Sequence, residues 1–251
     1  MSNYNTDLVM LSPNYSSRNG NKIEVITIHH TAGKLTATTI GNIFAKASRQ
    51  ASCNYGIGYD GKTVLVVDEK YRSWCSSSRQ NDEKAITIEV SNSTGAPDWK
   101  VSDASMESLI KLVTDVCRRN GITKLKFLND KSKRFNTAEQ NMTIHCWFAS
   151  TACPGPYLQS KMKYIEERVN AELGVVSAPV QTVPETDIKT SFKVKVKINN
   201  LNIRKSPNGV ITGRYTGKGI FTIVQVQGDW GKLKSGAGWI YIANKSWVEK
   251  C

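Results

Sequence analysis

The sequence predicts two units, a mixed α/β unit with a central sheet flanked by helices and a small all-β barrel that follows it. Up to residue 174, short β-branched runs alternate with stretches whose apolar residues recur at the spacing of one helix face. From residue 188 onward, period-two alternation and glycine-containing turns replace any helical period. Pro179 and Pro184 interrupt both patterns in between. We therefore predict an α/β unit over 1–174, a semi-extended linker over 175–187 and a barrel over 188–251.

Each element of the first unit has its own local signal. β-branched runs predict strands, and a Tyr-Asp-Gly-Lys segment predicts the turn of a hairpin. Apolar residues at i, i+3, i+4 and i+7 predict helices, and Gly121 and Gly174 mark two helix ends. The expected elements are, in order, a strand at 24–29, a helix at 36–49, a hairpin at 55–67, a strand at 85–90, a helix from 106 to near 121 and a helix from 156 to 173.

The second unit is strongly basic. Lysines alternate with apolar residues over 192–198, and residues 220–226 are rich in β-branched types. Residues 175–251 hold 12 basic and 4 acidic side chains, a net charge of +8 out of +13 for the whole chain. A basic unit favours an anionic partner, which could be a nucleic acid, a membrane face or an anionic cell-wall polymer. Charge alone does not choose among these three.

Composition excludes several classes of protein. With 39% hydrophobic and 22% charged residues, the chain is unlike a disordered protein. No apolar run approaches the roughly 18–20 residues that span a bilayer, so we expect no membrane insertion. Residues 1–7 lack the basic start and apolar core of a secretory signal, which predicts synthesis in the cytoplasm. The six cysteines are irregularly spaced and do not predict a disulfide framework.

The three histidines stand at informative positions. His29 and His30 end the first predicted strand, and His145 precedes Cys153 by eight residues, just before the Pro-Gly-Pro start of a helix. Two histidines and one cysteine would leave one position of a tetrahedral zinc ion open, as in catalytic zinc sites. A helix N-terminus would also favour the thiolate of Cys153. Spacing alone leaves open the alternative that these are structural residues of a strand end and a loop.

The sequences around these residues resemble a known family. The segments ITIHHTAG, SCNYGIGYDG, AITIEVSN and a His-x7-Cys-Pro-Gly motif occur in this order. Residues 20–172 thereby resemble the type-2 N-acetylmuramoyl-L-alanine amidases, whose fold is shared with the peptidoglycan recognition proteins. The resemblance implies zinc bound by His29, His145 and Cys153. Residues 190–249 resemble a bacterial SH3-type cell-wall-binding domain, and the combination resembles a bacteriophage endolysin or a related autolysin.

Strand alternation and the resemblance suggest roles for the neighbouring polar residues. His29 should share a strand face with Thr27, opposite to His30, which favours a packing or supporting role for His30. Glu89 interrupts a β-branched strand and, taken alone, would be a solvent-facing charge on an edge strand. In many bacterial members of the family, however, a Glu at this position is the general base. Thr151 matches a family position beside the substrate carbonyl, with an ordinary loop threonine as the alternative.

The sequence departs from the family pattern in two places. A catalytic Tyr of many members would fall on Cys53, and Tyr55 follows two residues later, where we expect it to point the same way. That role is therefore either absent or displaced. Many members also carry Trp-His-Ala-Gly where this chain has Trp-Cys-Ser-Ser at 74–77, so Cys75 replaces the histidine.

The family resemblance implies a zinc-dependent hydrolase that cleaves the amide between N-acetylmuramic acid and L-alanine in peptidoglycan and so lyses the bacterial wall. Its partners would be peptidoglycan and a wall polymer bound by the second unit, and it would act after release from the cytoplasm. The alternative from another class is a non-catalytic peptidoglycan-binding recognition protein, which has no need of Glu89 beside the three ligands. A nucleic-acid binder is disfavoured because the basic strands carry no recognised RNA-binding aromatic motif.

Overall fold

The computed structural model describes residues 6–175, 191–207, 211–227 and 229–251. The chain divides into two compact units, Met1–Ser177 and Ala178–Cys251. Nearly all of the linker expected at 175–187 lies outside the described residues. Within the described ranges, no helix has both the length and the apolar character needed to cross a membrane.

The first unit is a mixed α/β fold, as predicted. Its strands are β1 (Leu8–Val9), β2 (Tyr15–Ser17), β3 (Val25–His30), β4 (Tyr55–Ile57), β5 (Thr63–Leu65), β6 (Tyr71–Ser73), β7 (Ala85–Val90) and β8 (Met142–Ile144). Its helices are α1 (Ala37–Phe44), α2 (Arg79–Asp82), α3 (Asp103–Arg119) and α4 (Gly155–Glu172). Six strands form one sheet in the order β1-β5-β4-β7-β3-β8, and β2 pairs with β6 separately. The strands β4, β7, β3 and β8 run parallel, and β5 returns antiparallel to β4.

One face of this sheet packs against α3 and α4. Ile26, Ile28, Ile86 and Ile88 are fully buried there, in one cluster with the apolar residues of both helices. Burying a side chain of this size stabilises a protein by about 1.5–3 kcal/mol, so this face supplies much of the stability of the unit.

The other face of the sheet carries α1. Thr36 caps this helix by accepting a hydrogen bond from the amide of Thr39, and Ile40 and Phe44 pack into a second apolar cluster. A Cβ atom at Gly56 would lie 2.5 Å from the side chain of Ile40, so a residue without a side chain lets α1 approach β4. Gly56 is the register neighbour of Glu89 on β7, which places α1 on the same side of the sheet as Glu89.

The structure shortens one predicted helix and adds strands that the sequence pattern did not reveal. The helix expected at 36–49 ends at Phe44, and a separate 3-10 turn follows at Ala47–Arg49. The strand at 85–90 and the hairpin are confirmed, with Gly61 in the left-handed region of its turn at φ 85°. The strands β1, β2, β6 and β8 contain only two or three residues each, too few to show a period.

The second unit is an all-β sheet, as predicted. Its strands are β9 (Phe192–Val196), β10 (Asn202–Arg204), β11 (Ile211–Tyr215), β12 (Gly219–Gln227), β13 (Trp230–Leu233), β14 (Trp239–Tyr241) and β15 (Val248–Lys250), in the order β11-β10-β14-β13-β12-β9-β15. On β9, Val194 and Val196 enter the apolar core while the intervening lysines stay exposed. The closure of this sheet into an SH3-type barrel stays a prediction.

Candidate metal centre

The parallel strands bring three polar side chains to one edge of the sheet. His29 lies at the end of β3, Glu89 lies near the end of β7, and His145 follows β8 directly. His29 and Glu89 are register partners on adjacent strands, so their side chains leave the same face. The carboxyl ends of parallel strands meet at one edge, which is where α/β proteins usually place their binding sites.

Cys153 reaches this edge through a closed loop. The amide of Cys146 donates to the carbonyl oxygen of Cys153 at 3.0 Å, which brings the two ends of the loop together. The amide of His30 donates to the Sγ atom of Cys153 at 3.3 Å and attaches the buried thiol to the end of β3. The loop therefore holds Cys153 beside both His29 and His145.

The three side chains form a compact group of metal-ligand atoms. One ligand atom from each of His29, His145 and Cys153 lies within 4.8 Å of the other two, and the two imidazole centroids are 4.6 Å apart. In a tetrahedral zinc site with bonds of about 2.0–2.3 Å, ligand atoms stand roughly 3.3–3.8 Å apart. The observed limit of 4.8 Å is at most about 1.5 Å wider than that spacing, so small side-chain movements suffice to reach it.

The two histidines are in the state that a metal requires. Both ring nitrogens of His29 and the Nε2 atom of His145 are buried without a hydrogen-bond partner in the described ranges. Burial, together with the other two histidines, lowers the pKa of His29 well below its ordinary value, and burial lowers the pKa of His145. A neutral imidazole keeps a lone pair for a cation, whereas an unpaired buried polar atom costs about 1–3 kcal/mol. The residues present therefore fit a bound zinc ion.

The electrostatics of Cys153 differ from the expectation for a helix N-terminus. Burial raises the pKa of this thiol above its ordinary value, and the nearby charge of Glu89 adds to the increase. Desolvation thus opposes the thiolate that a helix N-terminus would favour. A cation beside the sulfur would favour the thiolate.

Glu89 occupies a desolvated position. Because β7 lies between β4 and β3, the alternative of a solvent-facing charge on an edge strand is wrong. Burial raises the pKa of Glu89 to about 8, with Arg49 acting in the opposite direction. Its Oε2 atom is buried and has no hydrogen-bond partner among the residues described. A desolvated carboxyl group in a cleft is typical of acid–base residues.

Glu89 and His145 line a cleft. Its volume is about 480 Å³, and its walls include Arg49, Arg72 and Trp74. Small-molecule sites usually have volumes of about 300–1,000 Å³, so the cleft could admit a segment of a substrate.

His30 and Thr151 lie at the margins of the metal-ligand group. His30 is buried, and its ring makes an edge contact with Trp99 at a centroid distance of 5.4 Å. Thr151 is exposed, and its hydroxyl accepts a hydrogen bond of 3.2 Å from the amide of Cys153. This bond helps to position the cysteine and leaves the hydroxyl hydrogen of Thr151 available.

Tyr55 lies on the opposite face from Glu89. Its register partner is Ile88, and its hydroxyl donates to Glu69 at 2.7 Å. Cys53 packs in the apolar cluster of α1 instead, so the expectation that Tyr55 points the same way as Cys53 is wrong. Because β4 begins at Tyr55, strand alternation does not extend back to Cys53.

Sequence reasoning missed the position of Cys75. Its Sγ atom lies 4.0 Å from Oε1 of Glu89, and Cys75 lines the same cleft. The sequence signal for Cys75 was that it stands where many family members have the histidine of a Trp-His-Ala-Gly segment.

Comparison with known proteins identifies the family. The model of the N-acetylmuramoyl-L-alanine amidase family matches residues 19–156, which is more than half of the chain. The chain therefore belongs to the N-acetylmuramoyl-L-alanine amidase family. No curated protein matches it significantly.

Three solved structures are similar to this chain. The hydrolase AmiA of Staphylococcus aureus, in complex with its ligand, is 18% identical with a TM-score of 0.50, over 67% of this chain and 86% of that chain. AmpD is 18% identical with a TM-score of 0.47, over 62% and 92% of the two chains. The endolysin amidase LysCS of Clostridium intestinale is 17% identical with a TM-score of 0.43, over 64% and 97%. At such identities, the likeness to AmiA concerns the fold alone.

Proposed function

We propose that this chain hydrolyses the amide bond between N-acetylmuramic acid and L-alanine in peptidoglycan, with zinc held by His29, His145 and Cys153. The observation that carries the proposal is the group of three ligand atoms within 4.8 Å, with unpaired buried imidazole nitrogens. Membership of the amidase family supports the choice of substrate. Three protein ligands leave a fourth position open, as in catalytic rather than structural zinc sites.

Zinc, Glu89 and Thr151 have different roles in the proposed hydrolysis. Bound zinc supplies Lewis-acid activation of a water molecule and of the substrate carbonyl. In its ionised form, which a cation bound beside it would favour, Glu89 accepts a proton from the attacking water and passes it to the amine nitrogen of L-alanine as the carbon–nitrogen bond breaks. The water oxygen stays on the lactyl carbon as a carboxylate, and the stem peptide leaves with a free amine. Thr151 uses its remaining hydroxyl hydrogen to stabilise the carbonyl oxygen as negative charge develops there.

Glu89 also favours the enzyme over a non-catalytic recognition protein. Its buried, unpaired carboxyl oxygen costs stability, and its pKa of about 8 reflects that cost. A protein that only binds wall fragments gains nothing from this arrangement. An enzyme needs a desolvated base beside the metal.

The proposal predicts that activity depends on zinc. Chelation of the purified full chain should stop the release of free L-alanine amino groups from purified walls, and added zinc should restore it. The number of reducing sugar ends should stay constant, since an amidase leaves the glycan intact. Release that continues after chelation, with zinc shown to be removed, would contradict the metal assignment.

We further propose that residues 188–251 form an SH3-type unit that attaches an endolysin-like enzyme to the wall. The side chains of Lys193 and Lys195 on β9 are exposed, as is that of Lys197 directly after the strand, which also pairs with Glu249 at 3.2 Å. Tyr215 is 57% exposed. Trp230 and Trp239 are buried and act as core residues instead. A lysine face would attract an anionic wall polymer, and Tyr215 would offer a surface for stacking.

A fragment of residues 1–174 tests this second proposal. It should retain amide hydrolysis on soluble muramyl peptides, because it contains every proposed site residue. Its affinity for intact walls should fall on the order of 10²-fold or more, because tethering by the second unit is lost. The full chain with Lys193, Lys195 and Lys197 replaced by alanine is the matched control, and it should show part of the same loss. Equal wall binding by the fragment and the full chain would contradict the tethering role.

A further inference from the structure

A second group of ligand atoms lies beside the proposed zinc site. One ligand atom from each of His29, Cys75 and Glu89 lies within 4.8 Å of the other two. A thiol, a carboxyl group and an imidazole are all ligand types that zinc accepts. The group shares His29 with the site described above, and Cys75 and Glu89 line the cleft.

Three buried polar atoms of this group have no hydrogen-bond partner among the described residues, although the Cys75 thiol contacts Oε1 of Glu89 at 4.0 Å. In the ranges that the structure describes, neither ring nitrogen of the fully buried His29 has a partner, and neither does Oε2 of Glu89. A metal-binding histidine normally donates its second ring N–H to a carboxylate or a carbonyl group. The unpaired atoms of His29 and Glu89 could therefore act as ligands of a cation.

The position of Cys75 is fixed by its own loop. The backbone amides of Cys75 and Ser76 donate to the carboxylate of Asp82, at 3.1 Å in the case of Cys75. The hydroxyl of Ser76 donates to the same carboxylate at 2.6 Å. Asp82 is buried on α2, so the loop is anchored from inside the unit and holds the thiol near Glu89.

We propose that His29, Cys75 and Glu89 form an alternative metal site, which an ion occupies in place of the site of His29, His145 and Cys153. The inference rests on the proposed zinc site, because the two sites share His29. A neutral imidazole has one lone pair, so the two sites exclude each other unless His29 loses its remaining proton. An ion in the alternative site binds the carboxylate of Glu89 and removes the proposed base. This form of the protein is therefore inactive.

Cobalt(II) binding to cysteine variants of the full chain tests the proposal. Cobalt accepts the same ligand types as zinc and, when bound to a thiolate, gives a charge-transfer absorption that zinc lacks. In Cys153→Ser, the first site has lost its thiolate. This variant should still show the thiolate absorption. Adding Cys75→Ser should abolish it and weaken cobalt binding tenfold or more. The matched control is Cys153→Ser with Cys251→Ser, which removes an exposed thiol of the second unit and should keep the absorption.

The possible results separate this inference from the proposed function. Absence of thiolate absorption in Cys153→Ser, with circular dichroism showing an intact fold, would overturn the alternative site while leaving the first site in place. Absorption that survives the added Cys75→Ser substitution would also overturn it, because another thiol would then be the ligand. Failure of the parental protein to bind cobalt at all would overturn both sites.

Discussion

The two faces of the central sheet use the same strands for different purposes. On one face, Ile28 of β3 and Ile88 of β7 are register partners within the apolar core. On the other face, the partners are His29 and Glu89. Successive residues of a strand point to opposite faces, so one short segment contributes to stability and chemistry at once. A substitution on the face of Ile28 and Ile88 should therefore change the free energy of unfolding. A substitution on the face of His29 and Glu89 should instead change metal binding or the rate of hydrolysis.

The polar face itself changes character along the strands. Toward their beginnings, buried hydroxyl groups pair with one another, as Thr27 with Thr143 at 2.9 Å and Thr87 with Ser73 at 2.7 Å. At the carboxyl ends, the buried atoms of His29 and Glu89 have no partner among the described residues. The paired part of the face is structural, and the unpaired end is where a cation and a substrate are expected.

The largest effect is expected for Cys153→Ser, which removes a proposed ligand from the polar side. Loss of a residue that is hydrogen-bonded to a metal ligand lowers metal affinity about 10–100-fold. Loss of a ligand itself should therefore lower it by more than about 100-fold. Zinc affinity, measured by competition with a chelator, should fall accordingly, while the metal-free variant unfolds close to the parental denaturant concentration. Cys251→Ser is the control, because that thiol is exposed in the second unit. Unchanged zinc affinity in Cys153→Ser combined with Cys75→Ser, which also removes the alternative site, would contradict the assignment of metal binding to the polar face.

Ile88→Val, on the apolar face, should have a smaller effect, and this effect should be on stability and not on metal binding. Deleting one buried methylene group here should lower the free energy of unfolding by about 0.5–1.5 kcal/mol, with zinc affinity and hydrolysis rate unchanged. Denaturant-induced unfolding measures the first quantity. Ile220→Val is the matched control at a position that is 63% exposed, and it should have almost no effect. A clear loss of zinc affinity in Ile88→Val would show that the faces are coupled.

Within β3 and β7, local pattern predicted which side chains share a face, because period-two alternation is decided within a few residues of one strand. It separated His29 from His30 and placed Glu89 on the side of Thr87. It could not show that β8 pairs with β3, since β8 has only three residues, and so the approach of His145 rested on the family resemblance.

Properties that depend on tertiary packing were harder to predict. The raised pKa of the Cys153 thiol comes from burial that no local pattern reports. The hydroxyl of Tyr55 finds its partner in Glu69, 14 residues further along the chain. Cys75 approaches Glu89 because Asp82 of α2 anchors its loop, which is likewise a contact between separate elements.

Glu89→Gln tests the central claim most directly, because it removes the proposed base and keeps the shape of the side chain. The measurement is the rate at which zinc-loaded protein releases L-alanine amino groups from purified walls. We expect a loss of about 10²–10⁴-fold with zinc content and wall binding unchanged, since that is the usual contribution of a general base. The control is Tyr55→Phe, which lies on the opposite face and should keep the parental rate while losing about 1 kcal/mol of stability. A Glu89→Gln variant that hydrolyses walls at the parental rate would contradict the account.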